Sequence, residues 1–215
     1  MSVKPTITPK ENGPYVVSDC PMLKGLLDGK QYASTGTIAL CRCGGSKNKP
    51  YCDGTHGTIG FSSAKAADRV PDARENYAGE GITIHDNRGI CAHSGRCTDS
   101  LASVFRLRQE PWIDPKGAAV EKIVAAVEQC PSGALSYSID GVEHRDRQHD
   151  PEILIAPNGP YAIRGGADLQ GCEWGEGASR EHFDLCRCGQ SKNKPFCSGA
   201  HWYHHFDEHA PAPKA

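Results

Sequence analysis

One spacing occurs twice in this 215-residue chain: Cys, one residue, Cys, eight residues, Cys, three residues, His. The first occurrence supplies Cys41, Cys43, Cys52 and His56, and the second supplies Cys186, Cys188, Cys197 and His201. Each set of donors falls within 16 residues rich in Gly, Pro, Ser and Asn. Such a stretch favours a loop shaped by what it binds over a regular element. The flanks repeat as well. Asn12-Gly13-Pro14-Tyr15 returns as Asn158-Gly159-Pro160-Tyr161, and Ser46-Lys47-Asn48-Lys49-Pro50 as Ser191-Lys192-Asn193-Lys194-Pro195. Phe61, five residues past His56, has its counterpart in Phe206 after His201. A module of roughly 50 residues is therefore duplicated, with unrelated sequence between the copies.

Composition explains why such modules need a metal. Hydrophobic residues make up 38% and aromatics 7%, against 24 Gly and 15 Pro. Small modules of that kind bury too little apolar surface to be stable alone, and metal binding supplies the rest. The eleven cysteines are an odd number. With no apolar leader at the N-terminus they suggest ligands in a reducing compartment rather than disulfides. A cytoplasmic protein without a membrane span is expected. The net charge of −2 gives no reason to expect nucleic acid as a partner.

Four such donors can hold one zinc ion or one [2Fe–2S] cluster. Zinc hooks usually separate paired cysteines by two to four residues, so a one-residue gap favours the cluster. The segment C-R-C-G-G-S-K-N-K-P-Y-C-D-G-T-H (residues 41–56) resembles the CDGSH iron–sulfur motif of the mitoNEET-like family. C-R-C-G-Q-S-K-N-K-P-F-C-S-G-A-H (residues 186–201) resembles it too, except that Ser198 stands where the family has Asp. The resemblance implies one [2Fe–2S] cluster per module on three cysteines and one histidine, with the two clusters free to differ in stability and potential. Replacing a thiolate by neutral imidazole makes a cluster less negative and favours its reduced form. Ser46, Ser191, Lys47, Lys49, Lys192 and Lys194 are expected in a mostly solvated loop, with hydroxyl donors near sulfur as a further option. Asp53 and Ser198 are good N-caps, so a short helix carrying each histidine is expected there.

The sequence between the copies follows neither. Ile82-Thr83-Ile84 and Leu135–Ile139 read as strands. Leu101, Val104 and Phe105 are spaced for one short helix. Asp114-Pro115 reads as the start of a second, with Val120, Ile123, Val124 and Val127 on its apolar face. Cys91, Cys97 and Cys130-Pro131 are what remains of a bacterial ferredoxin run lacking its second cysteine. The segment resembles the divergent single-cluster ferredoxin family, which implies a [3Fe–4S] cluster, or a [4Fe–4S] cluster with a non-cysteine ligand such as His93 or Ser94. Three thiolates suit the three-iron form, and buried thiols without a cluster are the bland alternative. Cys20 and Cys172 do not align in the repeat and are expected as free structural thiols.

The expected architecture is α+β: β-rich CDGSH modules at residues 1–66 and 150–210 flank a ferredoxin-like α+β insert at 75–142. Family members with one module pair as dimers, which suggests an intramolecular pseudo-dimer, as a monomer or within a homodimer. No nucleophile–base set or Gly-rich phosphate loop is visible, so a non-enzymatic role is expected. Electron transfer with a redox partner protein leads. A cluster carrier or redox/pH sensor serving apo iron–sulfur proteins is the alternative, and a zinc-bearing adaptor the third.

Overall fold

The computed structural model describes residues 3–210. Twelve short strands form three four-stranded sheets, and helices are few. The first copy contributes β1 (Thr6–Pro9), β2 (Tyr15–Ser18), β3 (Leu23–Gly25) and β4 (Ile38–Leu40). The second contributes β9 (Glu152–Ile155), β10 (Tyr161–Arg164), β11 (Asp168–Leu169) and β12 (Phe183–Leu185). The Tyr-Val-Val and Ile-Ala-Leu runs form β2 and β4.

Neither copy completes its own sheet. The strand orders are β11-β1-β2-β4 and β12-β10-β9-β3, so each sheet takes its edge strand from the other copy. The exchange is reciprocal. Ile7 pairs in parallel with Leu169, and Ile153 with Leu23. The offset that carries Asn12 to Asn158 also carries Ile7 to Ile153 and Leu23 to Leu169. The two sheets enclose one core, in which Ile7, Val17, Leu23 and Leu40 pack with Ile153, Ile163, Phe183 and Leu185. At its centre the Tyr15 and Tyr161 rings meet edge to face, 6.2 Å apart.

The insert forms the third sheet, β5 (Arg74–Ala78), β6 (Thr83–Asn87), β7 (Leu135–Ile139) and β8 (Val142–His144), in sequential antiparallel order. Its own core includes Ile84, Val104, Phe105, Ile123 and Leu135. Both expected helices need correction. The first, α1, spans Arg96–Ser100 and ends before Leu101, so Val104 and Phe105 are buried from a turn closed by bonds to the Leu101 carbonyl. The second, α2, spans Val120–Val127 and begins after Ala119 instead of at Pro115. Asp114 holds a tight turn there, accepting from the Lys116 N–H at 3.1 Å. Gly117 then lies so close to Ser103 that no side chain would fit. The apolar face of α2 is as expected, with Ile123 and Val127 buried. No helix among the described residues is long and apolar enough to cross a membrane.

The copies also touch backbone to backbone, where Cys43 and Cys188 form an antiparallel bridge. Gly44 follows with φ of 76°, and a Cβ there would stand 2.6 Å from the Cys188 carbonyl oxygen. Gly189 faces the Cys43 carbonyl in the same way. Gly44→Ala is therefore expected to destabilise the chain by about 1–3 kcal/mol, through positive-φ strain and a clash with backbone that has nowhere to move. Thermal unfolding of the variant beside Gly60→Ala checks this, because Gly60 also has positive φ (65°) but has nothing within 4 Å of its Cβ position.

Candidate metal centres

Each repeated loop gathers its four candidate ligands in two contacting pairs. Cys41 Sγ lies 3.9 Å from Cys43 Sγ, and Cys52 Sγ 3.4 Å from His56 Nδ1. In the second copy Cys186 and Cys188 are 3.8 Å apart, and Cys197 and His201 Nδ1 3.5 Å apart. Two ligands on one metal at about 2.0–2.3 Å stand about this far apart in tetrahedral geometry. Among the described residues no three His, Cys, Asp or Glu side chains converge on a single-ion position.

The loops are shaped to present sulfur. Cys41 N–H donates to the Pro50 carbonyl, and Cys186 N–H to that of Pro195, both at 2.8 Å. Ser46 Oγ donates to the Tyr51 carbonyl at 2.6 Å and accepts from the Asn48 N–H, while Ser191 does the same with Phe196 and Asn193. Both hydroxyls are buried and spent on the loop backbone, so they are neither solvated nor aimed at sulfur. The donors to sulfur are main-chain N–H groups: Gly45 to Cys43 and Gly54 to Cys52, both 3.4 Å, and Gln190 to Cys188 and Gly199 to Cys197. The close contact of the two sulfurs holds Cys41 below the ordinary thiol value and pushes Cys43 above it. The Cys186–Cys188 pair behaves alike. Two thiolates this close need a cation between them, so the donor set fits an iron–sulfur centre.

Tyr15 and Tyr161 tie each loop to the other copy. Tyr15 Oη lies 2.9 Å from the carbonyls of both Cys186 and Pro195 and shares its one O–H between them, and Tyr161 Oη shares its own between those of Cys41 and Pro50. Arg42 stacks over Tyr15 and Phe61, and Arg187 over Tyr161 and Phe206, which gives the repeated phenylalanines their place.

The two copies differ around the histidine. The helical cap is glycine in both, Gly54 (φ 87°) before the 3₁₀ turn Thr55–Gly57 and Gly199 (φ 72°) before α3 (Ala200–Tyr203), instead of the expected Asp53 and Ser198. Asp53 still braces its loop, accepting from the N–H groups of Lys47 and Thr55 at 2.8 and 3.0 Å. The Thr55 hydroxyl bond, with these, holds the Asp53 carboxyl down to about 2. Ser198 offers only a 3.3 Å bond to the Lys192 N–H. Cys52 and His56 are half-exposed, whereas Cys197 and His201 are buried, and burial pushes His201 down to about 4. Lys47 and Lys192 are exposed, Lys192 pairing with Asp68, while Lys49 and Lys194 are half-buried against carbonyls.

In the insert, Cys91, Cys97 and Cys130 line one cavity of about 780 Å³, with His93, Ser94 and Arg88 on its wall. Burial lifts Cys91 to about 12 and Cys97 to about 11. Arg88 Nη1 reaches Cys91 Sγ at 3.8 Å, and the His93 N–H at 3.4 Å. Three thiols around a roomy cavity with a guanidinium beside one of them fit an anionic cuboidal cluster. Cys20 and Cys172 bond only nearby carbonyls, of Met22 and Gln170, and pack on the shared core.

Two carboxyls escaped sequence reasoning. Asp86 on β6 shares the wall of that cavity, and neither of its oxygens has a hydrogen-bond partner among the described residues. Asp184 on β12, where the first copy has Ala39, is buried with Oδ1 unpartnered. Burial lifts both to about 7. The alternation of β6, with Ile84 and Asp86 on one face, was the available signal for Asp86.

Two regions of the chain, 12–57 and 158–202, match the family described as iron-binding zinc finger, CDGSH type. Residues 77–140 match the divergent 4Fe-4S mono-cluster family. The uncharacterized protein YjdI of Escherichia coli K12 is 43% identical over 61 residues, which cover 28% of this chain and 80% of YjdI. YjdI of Escherichia coli O157:H7 matches to the same extent. No solved structure matches.

Because burial lifts Asp86 from its ordinary 3.8 to about 7, the folded state holds its proton more tightly than the unfolded chain does. The associated stability is full below about pH 4 and is lost as the pH rises through about 7. Asp86→Asn is expected to abolish that loss, gaining on the parent as the pH rises from about 4 to about 7 in denaturant titrations.

Proposed function

The chain belongs to the CDGSH iron-binding family, with a divergent 4Fe–4S mono-cluster domain between its two family regions, and on that premise we propose that it is a multi-centre electron-transfer protein. Cys41, Cys43, Cys52 and His56 would hold one [2Fe–2S] cluster, and Cys186, Cys188, Cys197 and His201 another. Cys91, Cys97 and Cys130 would hold a [3Fe–4S] cluster, or a [4Fe–4S] cluster whose fourth iron takes a non-cysteine ligand. Such clusters supply reversible one-electron exchange.

The observation that carries this reading is the pairing of ligands, two by two at 3.4–3.9 Å in both copies, one pair for each iron of a rhomb. The protein's own contribution is to hold that geometry still. Main-chain N–H groups point at sulfur, buried serines close the loops, and each loop is tied to the opposite copy by a tyrosine. The reciprocal edge strands and shared core support an intramolecular pseudo-dimer. The partner is a redox protein that exchanges electrons at the surface, and the unpaired thiols suit a reducing cytoplasm. The half-exposure of Cys52 and His56 favours a second reading, cluster delivery from the first site to apo iron–sulfur proteins.

Iron and sulfide analysis with EPR of the oxidised and reduced protein is the direct test. Both [2Fe–2S] sites are expected to be silent until reduced, whereas a [3Fe–4S] centre signals when oxidised. Zinc without sulfide would refute the proposal.

His56→Cys and His201→Cys are each expected to lower the potential of their own site, by on the order of 100–300 mV given the effect of two histidines in Rieske centres. On acidification a proton competes with iron for the imidazole. His201 is buried, and burial opposes its protonation. The first site, with its half-exposed histidine, is thus expected to bleach at higher pH than the second, followed by visible absorbance in single-site variants.

A further inference from the structure

We infer that His93 is a positioning residue shared by two centres, bracing both the Cys91 loop of the insert and the Cys197/His201 loop of the second copy. The inference rests on the ligand assignment proposed above.

His93 has φ of 54°, a left-handed conformation uncommon for a residue with a side chain. Such a conformation persists where the surroundings over-determine it, and three contacts do so here. Its N–H donates to Cys91 Sγ at 3.4 Å. Its carbonyl accepts from Trp202 Nε1 at 3.1 Å, and the Trp202 ring lies 5.1 Å from that of His201. Its side chain lies on Gly199, where a Cβ would stand 2.7 Å from His93 Cβ and 2.9 Å from Cγ and Cδ2. Gly199 in turn caps α3 and donates its N–H to Cys197 Sγ at 3.4 Å. A thiol of each site is therefore bonded by an N–H from one side of a single tight contact.

The first copy supplies the control. Gly54 has the same cap geometry and the same N–H to Cys52, but nothing lies within 4 Å of its Cβ position. The two loops share a motif, and only the second is braced. Further bonds hold the insert to this copy, from Asn193 Nδ2 to the Gly89 carbonyl and from Arg147 to His182 and the Cys130 carbonyl.

His93→Gly in the full chain tests this. Gly tolerates the left-handed backbone and keeps both main-chain bonds but removes the side chain from Gly199. Trp202→Phe removes the donor to the His93 carbonyl while leaving the ring, and it decides the matter should the first variant fail to fold. Both are made in a His56→Cys background, so that the first-copy signal is displaced from the second in EPR-monitored redox titrations. The midpoints of the insert centre and of the second-copy centre are expected to move together, with the first-copy centre unmoved. Iron loss to a chelator from those two centres should rise about fivefold, roughly the worth of one hydrogen bond. A change confined to the insert centre would make His93 its ligand and overturn the inference, as would a response at no centre or equally at all three. Parent protein lacking iron and sulfide would instead refute the ligand assignment itself.

Discussion

The rest of the structure depends on the crossing of the two copies at Cys43 and Cys188. Here the backbones bridge, and each of the following glycines leaves room for the other copy's carbonyl. The tyrosine hydroxyls then satisfy the loop carbonyls of the opposite copy. A loop that must present three sulfurs and an imidazole cannot spend its own backbone on regular hydrogen bonding. Its buried carbonyls still need donors, since an orphaned one costs about 1–3 kcal/mol. The Pro50 and Pro195 carbonyls take N–H groups of their own loops, whereas the Cys41 and Cys186 carbonyls take the tyrosine hydroxyl of the opposite copy, so neither loop is complete alone.

A nearly symmetric pair is made asymmetric by the insert. It docks on the second copy, burying Cys197 and His201 and leaving Cys52 and His56 half-exposed. Identical donor sets thus sit in different surroundings, one buried and one half-exposed. Asp184, in place of Ala39, adds a buried carboxyl beside the second site alone. Duplication supplied two like sites, and docking made them unlike.

Much of this was legible in the chain. The ligand spacings, the repeat, and the strands β2, β4 and β7 follow from local pattern. The helices of the insert were legible only in part. Leu101, Val104 and Phe105 have helical spacing, but a turn buries the same side chains equally well, and packing chose the turn. Asp114-Pro115 carries a strong start signal, yet the close approach of Gly117 to Ser103 delays α2 to Val120. Ser46 and Ser191 looked like loop hydroxyls open to water, because nothing local reveals that Tyr51 and Phe196 fold their carbonyls back onto them.

By itself the sequence determined which side chains are candidate metal ligands and that they come in two matched sets and a third, because ligand chemistry resides in residue type and short-range spacing. Only the tertiary structure decided which copy lends a strand to which sheet, which histidine is buried, and that His93 and Gly199 meet across the insert boundary. Those outcomes depend on contacts between residues more than 100 positions apart, where no local periodicity reaches.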